Sequence, residues 1–122
     1  MQAHEWVRTE TTFLKVDALD HHADHFFPGT QDPAWDLAAM EAEFRLDPER
    51  SRSLIDSYRT LSDDRDVHHR LPYHRLAYAA FQIGYAAFAR QSLGNTPEGC
   101  RFARREGFFR DRFLELTATR SQ

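Results

Sequence analysis

Three residue pairs place a helix-capping side chain directly before a proline: Asp32-Pro33, Asp47-Pro48 and Thr96-Pro97. The side-chain oxygen of Asp or Thr accepts a hydrogen bond from a backbone N–H of the first helical turn. Proline is favoured at the first helical position because the N–H that it lacks would have no helical partner there. These start signals predict a mainly α chain.

Apolar residues at helical spacing extend this prediction to about four helices. Residues 76–89 are apolar except for Gln82, which predicts a buried helix that is too short to span a bilayer. The last helix carries one apolar stripe, as an amphipathic helix does, at Phe102, Phe109, Phe113 and Leu116. The predicted helices lie near residues 33–45, 48–61, 71–91 and 97–117.

Two short runs before these helices are typical of strands. "EWVR" and "TFLKV" are rich in aromatic and β-branched residues and flank the polar "TET", which predicts a β-hairpin between His4 and Asp17. An isolated two-stranded hairpin is only marginally stable, so we expect it to pack against another part of the protein. The predicted fold is therefore mainly α, with an N-terminal β-hairpin followed by about four helices.

Size and composition restrict the classes of protein to consider. A length of 122 residues, 41% of them hydrophobic, predicts that residues 1–122 form one small domain or part of a larger one. A net charge of −3 does not call for nucleic acid, and neither a secretory signal nor a membrane span is indicated. A single cysteine, Cys100, excludes a disulfide framework and fits a cytoplasmic protein. Residues 1–66 hold 15 acids and 7 bases, whereas residues 67–122 hold 4 acids and 9 bases, which predicts two oppositely charged surfaces.

The segment "DHHADH", Asp20 to His25, is the first candidate site. His21, His22 and His25 with Asp20 and Asp24 have the donor types of a zinc site. His21 and His25 are four residues apart, but no helix is predicted there to bring them onto one face, and no distant Cys or His clearly completes the set. A solvated loop with titrating imidazoles is the simpler interpretation.

Other catalytic patterns are weak or absent in the sequence. There is no G-x-S-x-G nucleophile elbow, Cys100 lies among the turn residues "TPEGC", and the glycines are too scattered for a phosphate loop. The Arg-rich last helix has charges suited to phosphate, but no exposed aromatic residues are interleaved with them, so a solvated helix face is the preferred interpretation. The remaining candidate site combines Asp17, at a predicted strand end, with Asp32 and Asp36 at a predicted helix start. The helix start by itself has a purely structural explanation, since Asp32 caps the helix and Asp36 complements the helix dipole.

The stretch "HEWVRTETTFLKVDALDH…FFPGTQDPAWDLAA" resembles the C-terminal lobe of protein-kinase-like phosphotransferases, the superfamily of aminoglycoside phosphotransferases and choline kinases. In that family a hairpin follows the catalytic loop and ends at a metal-binding Asp, and a "D-P-A-x-D-L-A"-like segment then opens a helix. The resemblance covers roughly residues 4–40 and assigns Asp17 to the metal-binding position. It places His4 where a metal-binding Asn is expected, and Asp36 where an acid anchors the backbone of the catalytic loop.

This resemblance implies Mg²⁺-assisted transfer of the γ-phosphoryl group of ATP to the hydroxyl of a small-molecule acceptor. Asp17 suits a hard cation, whereas the imidazole of His4 departs from the family pattern. The sequence holds no catalytic base, no nucleotide-covering Gly-rich strand pair and no phosphate-pairing Lys. We therefore expect a C-terminal fragment, from a truncated gene, a split gene or a misassigned start, that is inactive alone. The alternative is a non-enzymatic helical protein-interaction module.

Overall fold

A computed structural model of the chain describes residues 6–8, 13–15 and 32–120. This part of the chain is mainly helical, as predicted, and the prediction of about four helices is confirmed for it. The elements are β1 Trp6–Arg8, β2 Phe13–Lys15, α1 Pro33–Glu43, α2 Pro48–Ser62, α3 Val67–Leu93 and α4 Pro97–Arg120.

The two short strands pair in antiparallel orientation. Trp6 lies opposite Lys15, and Arg8 lies opposite Phe13. Residues 9–12, which would join the strands, lie outside the described residues, so the hairpin itself stays a prediction.

The three capping interactions predicted from the sequence are present. In each, a side-chain oxygen accepts a hydrogen bond from a backbone N–H two or three residues later, as an N-cap does. The bonds are 2.9 Å from Ala34 to Asp32 Oδ1, 2.8 Å from Arg50 to Asp47 Oδ1, and 3.1 Å from Gly99 to Thr96 Oγ1.

Helix α3 begins earlier than predicted, at Val67 rather than near residue 71. Pro72 lies inside the helix, where a proline normally removes one backbone hydrogen bond and crowds the preceding turn. The helix nevertheless continues through it. The first turn is joined to the preceding residues by a bond of 3.0 Å from the His69 N–H to the Asp66 carbonyl.

The chain divides into two compact units, Met1–Leu71 and Pro72–Gln122. The prediction of one partial domain stays a prediction. In the first unit, the Ser51 hydroxyl of α2 donates to the carboxylate of Glu41, an α1 residue that is only 3% exposed. Within residues 32–71, the described helical part of this unit, the buried apolar residues belong to α1 and to the start of α3: Ala34, Leu37, Ala38, Ala39, Ala42, Val67 and Leu71.

The second unit contains the rest of α3 and helix α4. Tyr78 on α3 and Phe109 on α4 are buried, and their rings meet edge to face with centroids 5.9 Å apart. The buried Gln82 amide donates to the Tyr78 hydroxyl at 3.0 Å. These contacts join α3 and α4 within the unit. None of the described helices is both long enough and apolar enough to cross a membrane.

Candidate functional site at the start of helix α1

Asp36 is the one proposed site residue that lies in the described part of the chain. It occupies the first turn of α1 and its side chain is half-buried. The two proposed metal ligands, Asp17 and His4, lie outside the described residues, and so do the histidines of the "DHHADH" segment. Within the described residues, the start of α1 is therefore the part of the proposed site whose geometry can be compared with the sequence-based hypothesis.

Asp32 has two functions at this helix start. Its Oδ1 atom accepts the 2.9 Å bond from the Ala34 N–H, and its backbone carbonyl accepts a 2.9 Å bond from the Trp35 N–H. The same carboxylate also binds Arg70 of α3. The Arg70 Nε donates to Oδ2 at 2.7 Å and Nη2 donates to Oδ1 at 3.2 Å.

Arg70 binds a second carboxylate in the same way. Its Nη2 donates to Asp64 Oδ2 at 2.6 Å, and its Nη1 lies 3.3 Å from Asp64 Oδ1. The Tyr58 hydroxyl reaches the same carboxylate at 3.4 Å. One guanidinium thus bridges the start of α1 and the connection between α2 and α3, using the planar set of donors that distinguishes Arg from Lys.

These contacts set the charge states of the cluster. The hydrogen bond from Arg70 holds the pKa of the Asp64 carboxyl below its ordinary value, although partial burial opposes this effect. The hydrogen bonds to Asp64 and Asp32 raise the pKa of the Arg70 guanidinium further above its already high value. Near neutral pH the Asp64 carboxyl is therefore ionised and the Arg70 guanidinium is charged.

The cluster is suited to holding backbone in place rather than to proton transfer. A general base works best with a pKa near the working pH, whereas Asp64 is shifted away from that range. The side chains of Arg70, Asp32 and Asp64 are 37%, 28% and 23% exposed, so water screens the pairs only in part. The geometry indicates a clamp on the first turn of α1.

The described residues offer no cluster for a metal ion. Within residues 32–120, no three His, Cys, Asp or Glu side chains are grouped as metal ligands would be. His68 and His69 are exposed at the start of α3, with ring centroids 3.9 Å apart, and His68 Nδ1 lies 2.8 Å from the Arg65 carbonyl. Cys100 is exposed.

The arginines of α4 take part in contacts within the second unit. Arg110 Nη2 and the Nε of Arg90 on α3 bind the buried carboxylate of Glu106 at 2.9 and 2.8 Å. Arg105 donates to the Gln82 side-chain oxygen at 3.0 and 3.1 Å and lies over the Phe109 ring. The Arg90–Glu106 and Arg105–Gln82 contacts join α3 to α4, whereas the Arg110–Glu106 pair lies within α4. These contacts explain part of the Arg-rich pattern without a phosphate ligand.

Sequence reasoning missed Arg70 and Asp64. The predicted start of α3 near residue 71 left Arg70 in a loop, and its partner Asp32 lies 38 positions away in the sequence. The spacing of Asp64 and Arg70 is not a helical pairing signal, because residues 63–66 separate two helices.

Comparison of the chain with protein-family models, with curated proteins and with solved structures found no match.

Proposed function

We propose that residues 1–122 form the C-terminal part of a kinase-like phosphotransferase lobe, built from an N-terminal β-hairpin and four helices. The complete protein transfers the γ-phosphoryl group of ATP to the hydroxyl of a small molecule. The observation that carries the proposal is the start of α1, where "DPAWDLA" is capped by Asp32, clamped by Arg70, and presents Asp36 one turn later.

An acid that anchors a catalytic loop must itself be held in a fixed position. Asp36 meets this requirement, since the turn that carries it is attached to Asp32 through both the side chain and the backbone carbonyl. Its half-buried position favours charge-assisted hydrogen bonds to backbone N–H groups, because such bonds are strong where water is partly excluded. This supports the role that the resemblance implies for Asp36.

The chemistry of the proposed metal ligands fits Mg²⁺ in part. A carboxylate at Asp17 is a preferred ligand of this hard cation, whereas an imidazole at His4 is a poor one. When bound, ATP would supply the transferred group, and Mg²⁺ would neutralise charge on the phosphate oxygens. In this proposal Asp17 holds the metal, and Asp36 fixes the backbone beside the acceptor site.

Residues 1–122 are expected to show no phosphoryl transfer alone, because they hold no Gly-rich strand pair, no phosphate-pairing Lys and no loop base. The test begins with the DNA directly upstream of Met1. This DNA should encode those three features. The upstream region and residues 1–122, expressed as one chain and called the joined protein, should transfer the labelled γ-phosphoryl group of ATP, with Mg²⁺, to a sugar, an aminoglycoside or an amino alcohol.

The matched variants are Asp17→Ala and Asp20→Ala in the joined protein, two acids three residues apart. Asp17→Ala should abolish transfer, whereas Asp20→Ala should retain it. An upstream region without the three features, or an Asp17→Ala protein that transfers at the wild-type rate, would refute the proposed function.

The second candidate, the non-enzymatic interaction module, differs from the first in what it implies for exposed apolar side chains. Phe88 on α3 is 72% exposed. If residues 1–122 are part of a larger lobe, the rest of that lobe would cover such side chains, whereas an independent module does not need that cover. Light scattering and binding of a hydrophobic dye would separate the two candidates. The phosphotransferase proposal predicts self-association and dye binding for residues 1–122 alone. A monodisperse, dye-silent monomer with a sharp thermal transition favours the independent module.

A further inference from the structure

We propose that Arg70 is the positioning residue for the first turn of α1, and therefore for Asp36. What Asp36 then does rests on the proposed function, but its dependence on Arg70 does not. Arg70 binds neither nucleotide nor acceptor in this proposal. It acts through Asp32, the residue from which α1 starts.

The first step is that Asp32 couples Arg70 to the helix. Both carboxylate oxygens of Asp32 bind the guanidinium, and Oδ1 is also the atom that caps the Ala34 N–H. Rotation of this carboxylate would therefore break the cap and the ion pair together. Because the Asp32 carbonyl also accepts from Trp35, a shift of Asp32 displaces the whole first turn.

The second step is that Arg70 is itself held firmly. It follows the buried Val67 and precedes Leu71, which are 0% and 1% exposed, so its backbone belongs to the core of the first unit. Its far side is tied to Asp64 by a bond of 2.6 Å. A side chain fixed at its base and at its far end can set the place of its partner, unlike an ordinary surface ion pair, in which two flexible side chains adjust to each other.

The third step separates geometry from charge. Lysine keeps the positive charge of Arg70 but offers one nitrogen, so it cannot form two-point bonds to Asp32 and Asp64 at once. Arg70→Lys should therefore release the first turn of α1. Arg90→Lys is the matched control, because Arg90 also binds a carboxylate, that of Glu106, but in the second unit.

The experiment uses the 122-residue chain with Trp6→Phe, which leaves Trp35 as the only tryptophan and a reporter in the first turn of α1. Amide exchange of Ala34 and Trp35 and the emission of Trp35 are measured. In Arg70→Lys the amides of Ala34 and Trp35 should exchange about tenfold faster, and the Trp35 emission should shift. The amides of α4 should exchange as in the wild type, because the opening is local. Arg90→Lys should leave both readouts at their starting values.

Asp32→Asn provides a second variant if Arg70→Lys does not fold. Asparagine retains a capping oxygen, so α1 can start, but its bond to Arg70 loses the charge. It should show the same local opening. Equal exchange at Ala34 and Trp35 in the wild type and in both variants would overturn the positioning role of Arg70.

The joined phosphotransferase distinguishes this inference from the proposed function. If the positioning inference and the proposed function both hold, Asp36→Asn and Arg70→Lys each reduce kcat. The double variant should then be no slower than the slower of the two single variants. If Asp36→Asn leaves transfer unchanged while Arg70→Lys still opens the first turn, the positioning inference stands and the proposed role of Asp36 fails.

Discussion

Gly99 provides the sharpest test of the packing between the α3–α4 turn and helix α4. It lies in the first turn of α4, it is buried, and its N–H donates to the cap at Thr96. A Cβ atom added there would overlap with the carbonyl oxygen of Gly94 and lie 3.0 Å from its carbonyl carbon. Both neighbours are backbone, so relief requires movement of the turn itself. Gly94 has a φ of 56°, a left-handed conformation that glycine adopts without strain.

The size of the effect follows from three contributions to the free energy of unfolding. Overpacking of a tight site costs about 2 kcal/mol. Displacement of Gly99 weakens the Thr96 cap, which costs about 1 kcal/mol. Alanine is a better helix former than glycine by about 1 kcal/mol, and this offsets part of the loss. Gly99→Ala should therefore destabilise the second unit by about 2 kcal/mol.

Gly107→Ala is the matched control, the same chemical change in the same helix. Gly107 is exposed, and a Cβ atom there would have no neighbour within 4 Å. This substitution should stabilise the unit by about 1 kcal/mol. Urea unfolding followed by circular dichroism measures both, and amide exchange of α3 and α4 assigns the transition to the second unit. If Gly99→Ala proves as stable as Gly107→Ala, the close contact of Gly99 with Gly94 is wrong.

Three further predictions concern the cap of α2, the α3–α4 core and its buried acid. Asp47→Ala removes the acceptor of the Arg50 N–H and should lower the free energy of unfolding by about 1 kcal/mol in urea titration, whereas Asp56→Ala, in the middle of α2, should have little effect. Phe109→Ala leaves a cavity at a site that is 1% exposed and should lower the free energy of unfolding by about 3–5 kcal/mol, measured by calorimetry. A loss no larger than that of a substitution at an exposed position would contradict the placement of Phe109 in the core. Arg90 and then Arg110 hold the pKa of Glu106 below its ordinary value, so this acid contributes stability above its unfolded-state pKa and loses it as the pH falls through the folded-state pKa. Unfolding from neutral to acidic pH should therefore show a smaller loss in Glu106→Gln than in the wild type, and parallel curves would argue against the ion pairs.

Helix starts were predictable because their interactions are local. Each cap joins residues two or three positions apart, so Asp32, Asp47 and Thr96 could be identified without any tertiary information. The position of Asp36 in the first turn of α1 follows from the same signal. The start of α3 was misplaced, since no cap-proline pair marks it and Pro72 lies inside the helix.

Contacts between elements were decided only by the tertiary structure. The sequence alone determined a mainly helical chain, three helix starts and a candidate acid at one of them. It did not show that Arg70 clamps Asp32 from 38 positions away, or that Arg105 of α4 binds Gln82 of α3 across 23 positions. Many acids and bases in the chain could pair at such distances, and no periodicity selects among them. The choice is made when buried residues such as Val67 and Leu71 fix the backbone that carries Arg70, because packing then determines which charged groups come within hydrogen-bonding distance.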